Sequence, residues 1–99
     1  MDDPRDDSKD GSKDKVLRTF FDGERLLSMP RAGRKRRIAL EQIVQRFEPG
    51  RRYTEVEINL ELRQVWEADV AALRRYLVDE LLLERANGEY WRIGGDVEV

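Results

Sequence analysis

Apolar residues recur at helical or strand spacing along most of this chain, and their intervals predict its elements. Val16, Leu17, Phe20 and Phe21 share one face of a short helix over residues 13–22, with Ser12 placed to cap it and Asp22-Gly23 to stop it. Residues 24–29 alternate in part and read as a strand that Pro30 closes. Leu40, Ile43, Val44 and Phe47 stand at i, i+3, i+4 and i+7, with Ile38 nearby, which predicts a helix over about residues 34–47. Glu48-Pro49-Gly50 ends it, because the residue before a proline avoids the α region.

Arg51-Arg52-Tyr53 reads as a short strand leading into the best-specified helix of the chain. Thr54 and Glu57 form a capping box, in which the hydroxyl accepts from the Glu57 amide and the carboxylate reaches back to the Thr54 amide. Tyr53 and Ile58 occupy the two positions of a hydrophobic staple. Ile58, Leu62 and Val65 give this helix its apolar stripe, and it runs to about Arg63 or Gln64. After a break at Val65 and Trp66, a second helix over about residues 67–82 places Val70, Leu73, Leu77 and Leu81 on a buried stripe. Residues 82–86 and 89–93 flank Asn87-Gly88, a strong two-residue hairpin signal, and Tyr90 and Trp91 supply hairpin surface. The predicted architecture is α+β: a winged-helix-like helix-turn-helix domain with a C-terminal β-hairpin and an added N-terminal helix. It occupies residues 13–93, between a disordered acidic tail at 1–12 and a frayed tail at 94–99.

Composition narrows the function. The chain has 99 residues, enough for one small domain, and contains neither cysteine nor histidine. Thiolate chemistry, disulfides and the commonest zinc ligand are excluded, so no metal and no cofactor is expected. No glycine-rich phosphate loop is present, and no spaced pair of carboxylates sits in an apolar setting, so the residues point away from an enzyme. No stretch is long and apolar enough to span a membrane, and Met1-Asp2-Asp3-Pro4 opens neither a signal nor a transit peptide, which makes cytoplasmic the default expectation.

Charged residues make up 40% of the chain and the net charge is −2. Residues 1–14 hold six aspartates against Arg5, Lys9 and Lys13, net −3, while residues 15–99 hold sixteen basic and fifteen acidic side chains, net +1. A near-neutral domain has no global field for nucleic acid, so any such role rests on local patches. The strongest is RAGRKRR, which places Arg31, Arg34, Lys35, Arg36 and Arg37 at a helix start, with Arg51 and Arg52 following the end of that helix. Arginine suits bidentate phosphate contact. The competing reading is a solvated, ion-paired face.

Arg75 is a further candidate contact, or the i,i+4 partner of Asp79, while Arg74 more readily packs its stem on a neighbouring helix. Arg85 and Arg92 stand as wing contacts or as cross-strand partners of Glu84 or Glu89. The second helix of the helix-turn-helix opens with Glu67 and Asp69, which weakens the usual docking surface.

The segments RLLSMPRAGRKRRIAL, FEPGRRYTEVEINLEL, DVAALRRYLVDELLLER and YWRI resemble the bacterial family known as domain of unknown function 2087, over about residues 16–93. The resemblance implies a winged-helix-like fold and a link to transcription, since such domains are often appended to arsenic-repressor-type regulators. It supplies no active site. Two functions stay open: a transcription-linked module that binds duplex DNA without catalysis, and a module that binds another regulator or a second copy. A continuous positive face favours the first, and interleaved acids from Glu55, Glu57, Glu67 and Asp69 favour the second.

Overall fold

The protein is described by a computed structural model covering residues 12–31 and 33–93. The two predicted tails, other than Ser12 itself, lie outside these residues, as does the side chain expected to cap the first helix. The fold is α+β. Helix α1 (Ser12–Phe20) leads into a small hairpin of β1 (Phe21–Asp22) and β2 (Arg25–Leu26), followed by α2 (Gly33–Val44), β3 (Arg52–Thr54) and α3 (Glu55–Val65). A 3-10 turn (Glu67–Asp69) joins α3 to α4 (Val70–Asp79), and β4 (Leu83–Ala86) and β5 (Glu89–Arg92) close the domain. The strands β3, β5 and β4 form an antiparallel sheet in that order, with Tyr53 opposite Tyr90 and Tyr90 opposite Arg85.

Helices α3 and α4 form where periodicity and caps coincide. At α3, the Thr54 hydroxyl accepts from Glu57 N–H at 3.1 Å and the Glu57 carboxylate accepts from Thr54 N–H at 2.9 Å, satisfying two amides that a helix start leaves open. Both staple residues, Tyr53 and Ile58, are buried. Leu40, Ile43, Ile58, Leu62, Leu73 and Leu77 form the centre of the core, closed on one side by Tyr53, Leu83 and Tyr90 of the sheet. Each fully buried side chain of this size contributes about 1.5–3 kcal/mol relative to its exposed state. Asn87 and Gly88 both adopt positive φ, at 55° and 79°, as a tight two-residue hairpin turn requires.

Several expected boundaries move. Helix α1 stops at Phe20, and the strand expected over residues 24–29 is replaced by two-residue strands on either side of Gly23-Glu24, because Phe21 and Leu26 are the pair that reaches the core. Helix α2 ends at Val44 rather than near 47. Its last turn tightens into i→i+3 bonds, including Phe47 N–H to Val44 C=O at 3.1 Å, which still brings Phe47 into the core. The first residues of the predicted second helix form the 3-10 turn. Tyr90, expected on the surface, is buried at the centre of the sheet.

The largest departure is Leu81, which is expected on the buried stripe. Helix α4 ends at Asp79, and Leu81 turns out of the fold with φ +62° and 70% exposure, leaving Leu82 and Leu83 buried instead. The bonds Leu82 N–H to Leu77 C=O (2.9 Å) and Leu81 N–H to Val78 C=O (3.0 Å) make a Schellman cap with leucine at the position that favours glycine. The left-handed conformation costs a leucine about 1–2 kcal/mol. Leu81→Gly is therefore expected to raise stability by about 1 kcal/mol, the relief of strain being offset in part by the freer unfolded chain. Urea denaturation checks this, and a loss of stability would show that the Leu81 side chain makes a contribution its exposure does not reveal.

Candidate functional site

Basic side chains approach α4 from two flanks. Leu73 and Leu77 point into the core, which leaves Ala71, Arg75 and Asp79 on the outward side of the helix. Along one flank runs the β4–β5 hairpin. Tyr53, Tyr90 and Arg85 are cross-strand neighbours and therefore share the sheet face that packs on the helices. Between this face and α4 lies a cleft of about 330 Å³, with Arg74, Arg75 and Val78 on the helix side, Arg85 and Tyr90 on the hairpin side, and Asp79 at its rim.

The start of α2 occupies the other flank. The Arg36 guanidinium sits 4.2 Å from the centre of the Tyr76 ring of α4, and its Nε donates to Pro30 C=O at 3.0 Å, with a second bond to Arg31 C=O. Arg37 donates to Glu41 at 2.8 Å, to Glu80 C=O at 2.6 Å and to the Glu80 carboxylate at 3.1 Å. It thereby serves one of the last carbonyls of α4, next to the strained cap at Leu81. The hydrogen bond to Glu41 is the main reason its guanidinium is held above its ordinary range, with Glu80 adding to the effect against desolvation. A raised folded-state value means that this group favours folding at every pH below the guanidinium range and loses the effect only as pH rises through it, so Arg37 stays a cation under all working conditions.

The eight candidate residues thus separate. Arg36 and Arg37 hold α2 against α4, and their donors are largely engaged. Arg31 and Lys35 are exposed and edge a shallow pocket over Phe20, Met29 and Pro30, while Arg34 is exposed beside them. Arg75 is exposed and makes no ion pair with Asp79 or with any other described residue. Arg51 and Arg52 do not join this group. Arg52 pairs across the sheet with Trp91, lies 4.1 Å from its ring and approaches Glu89 at 3.6 Å, on the sheet face opposite Tyr53 and Tyr90. Arg51 covers the Tyr53 ring at 4.5 Å.

The acids expected to interrupt a positive face are mostly engaged within the protein. Glu57 closes the capping box, and Asp69 caps α4 by accepting from Ala72 N–H at 3.0 Å. Glu55 lies 3.9 Å from Arg74, whose other donor reaches Asn59 on α3. Glu67 is exposed. Arg92 makes no ion pair with Glu84 or Glu89 and donates instead to Phe47 C=O at 3.1 Å. Arg85 lies 5.8 Å from the centre of the Tyr90 ring and forms no ion pair with Glu84 or Glu89.

Two organising residues escape the sequence reading. Arg46, 20% exposed at the side chain, bridges Glu61 at 3.0 Å and Glu24 at 2.9 Å, tying α2 to α3 and to the β1–β2 turn. Its partners stand 15 and 22 residues away, which leaves no local sequence signal. Tyr90 does carry one, its place in a strand after Asn-Gly, but the inward register becomes evident only once β3 is paired with β5.

No curated protein and no solved structure matches the chain significantly. The family model for an "Uncharacterized protein conserved in bacteria (DUF2087)" does match, beginning at Arg25 rather than near residue 16 and so leaving α1 and β1 outside it. With residues 25–92 matched, which take in α2, the sheet and the α4 cleft, the chain belongs to the DUF2087 family.

Proposed function

We propose that this chain is a winged-helix module, linked to transcription and without catalytic activity, that docks α4 and the β4–β5 hairpin on duplex DNA. The element order supports the fold reading: α2, the short strand β3, the helix-turn-helix of α3 and α4, then a hairpin, with β3 beside β5 in the order β3-β5-β4. Helix α1 is the added element. The resemblance to domains appended to arsenic-repressor-type regulators supports the transcriptional link. The observation that carries the binding reading is that Arg75, on the outer face of α4, lines one cleft with Arg85 of the hairpin, while Arg36 of the basic run that includes Arg31 and Lys35 packs on Tyr76 of the same helix. A helix of this kind enters the major groove while flanking cations meet phosphates. Fluorescence anisotropy of a labelled random duplex tests it. Binding is expected to weaken steeply with salt and with neutralisation of Arg75 and Arg85, and salt-insensitive binding or none would refute it.

A second reading, a module that pairs with another copy, is favoured by one observation. Val56 and Leu60 are 67% and 52% exposed, one turn apart on the outward face of α3. An antiparallel pairing of two α3 helices about Leu60 sets Glu57 of each opposite Arg63 of the other, a self-complementary arrangement. Light scattering on a size-exclusion column is expected to show a concentration-dependent dimer that Leu60→Asp abolishes. A monomer at every concentration would exclude this pairing.

A further inference from the structure

We infer that the cleft between α4 and the β4–β5 hairpin is an oxyanion site that takes a phosphate group. Three of the residues that line it carry donors without acceptors. Arg75 and Arg85 form no ion pair with any described residue, although both line the same cleft. The third is Tyr90. Its side chain is 2% exposed, and no described residue hydrogen-bonds its hydroxyl, although Tyr53, its cross-strand neighbour, does accept a bond, from Glu48 N–H. A buried hydroxyl left without a partner costs about 1–3 kcal/mol, so its presence in the lining calls for an acceptor from outside the chain.

The surroundings set the chemistry of that acceptor. Arg74 and Arg85 lie 6.0 and 5.8 Å from the centre of the Tyr90 ring, so two guanidinium groups stand near the hydroxyl-bearing ring. Arg74 is already committed to Asn59 and Glu55 and acts as a wall. Arg75 and Arg85 supply exposed donors and Tyr90 a buried one, a set suited to a tetrahedral oxyanion. Asp79 at the rim opposes any anion and sets the affinity below what the arginines alone would give. The cleft, at about 330 Å³, holds a phosphate with several waters and leaves room for a substituent such as a sugar. The phosphate has two possible sources, a backbone phosphodiester of a duplex or a free phosphate monoester, and only the first rests on the duplex-binding reading.

The test is a side-chain 15N NMR titration of the full chain with inorganic phosphate, against chloride at matched ionic strength, repeated with a labelled duplex by anisotropy. Phosphate at millimolar concentration is expected to shift the Arg75 and Arg85 Nε resonances saturably. Tyr90→Phe, which keeps the ring, is expected to weaken phosphate binding about tenfold, as loss of one hydrogen bond to a charged group does, without lowering stability. Asp79→Asn is expected to strengthen it. Unmoved Arg75 and Arg85 resonances, or unchanged phosphate affinity in Tyr90→Phe, would overturn the site. Overturned with duplex binding intact, it leaves the duplex reading standing on other cations. Phosphate bound with Tyr90 dependence but without duplex binding keeps the site, assigns it to a free phosphate monoester and removes the duplex reading.

Discussion

Phe47→Ala is expected to lower folding stability by about 3–5 kcal/mol, the usual loss for truncating a buried phenylalanine. Phe47 is 1% exposed, at the point where the tightened end of α2 meets the sheet. Its ring meets Tyr53 edge-on at 5.1 Å and 81°, a geometry that adds about 0.5–1.5 kcal/mol to area burial. The same junction fixes the backbone. Arg92 of β5 donates to Phe47 C=O, and the Tyr53 hydroxyl accepts from Glu48 N–H at 2.9 Å. Removing the ring leaves a cavity among three elements that these hydrogen bonds keep from collapsing. With about 5–15 kcal/mol of total stability typical of such domains, the variant is expected to unfold at far lower urea concentration. A loss under about 1 kcal/mol would mean that the α2–sheet junction repacks freely.

Elements whose formation is governed by neighbouring residues are legible in the amino-acid sequence alone. The Thr54–Glu57 box, the Asn87-Gly88 turn and the i, i+3, i+4, i+7 stripe through Leu40 and Phe47 each act over a short stretch of chain, and each is found in the fold. Leu81 is misplaced by periodicity, because a helical stripe carries no information about where a helix stops when no glycine marks its end. The candidate site is legible only in part. The arginines and lysine of the two basic runs look equivalent in sequence, yet Arg37 finds Glu80 at a separation of 43 residues, and Arg52 is turned away by strand alternation. Partners of that kind are chosen by tertiary packing. The same holds for Tyr90, whose burial depends on the distant register that sets Tyr53 of β3 opposite it.

The second large effect concerns affinity. If α4 and its flanks meet a duplex, each cation that touches a phosphate adds about 0.9 to the slope of log affinity against log salt. Arg75, Arg85, Arg31 and Lys35 are the exposed cations around α4 assigned to contact. Neutralising Arg75 and Arg85 together is expected to reduce the slope by about 2 and to weaken binding at least tenfold at low salt. Arg52→Ala is expected to change neither, because Arg52 sits on the opposite face of the sheet between Trp91 and Glu89. Arg36 and Arg37 are poor choices for this comparison, since their loss would release α2 from α4 and confound binding with folding.

The most direct measurement is therefore the salt dependence of anisotropy for one labelled random duplex, taken in parallel on the native chain, on Arg75→Ala/Arg85→Ala and on Arg52→Ala. Docking through α4 predicts a steep slope for the native chain, a slope shallower by about 2 for the double variant, and the native slope for Arg52→Ala. Equal slopes for the native chain and the double variant, or a loss confined to Arg52→Ala, would contradict the assignment of α4 and its flanks as the working face.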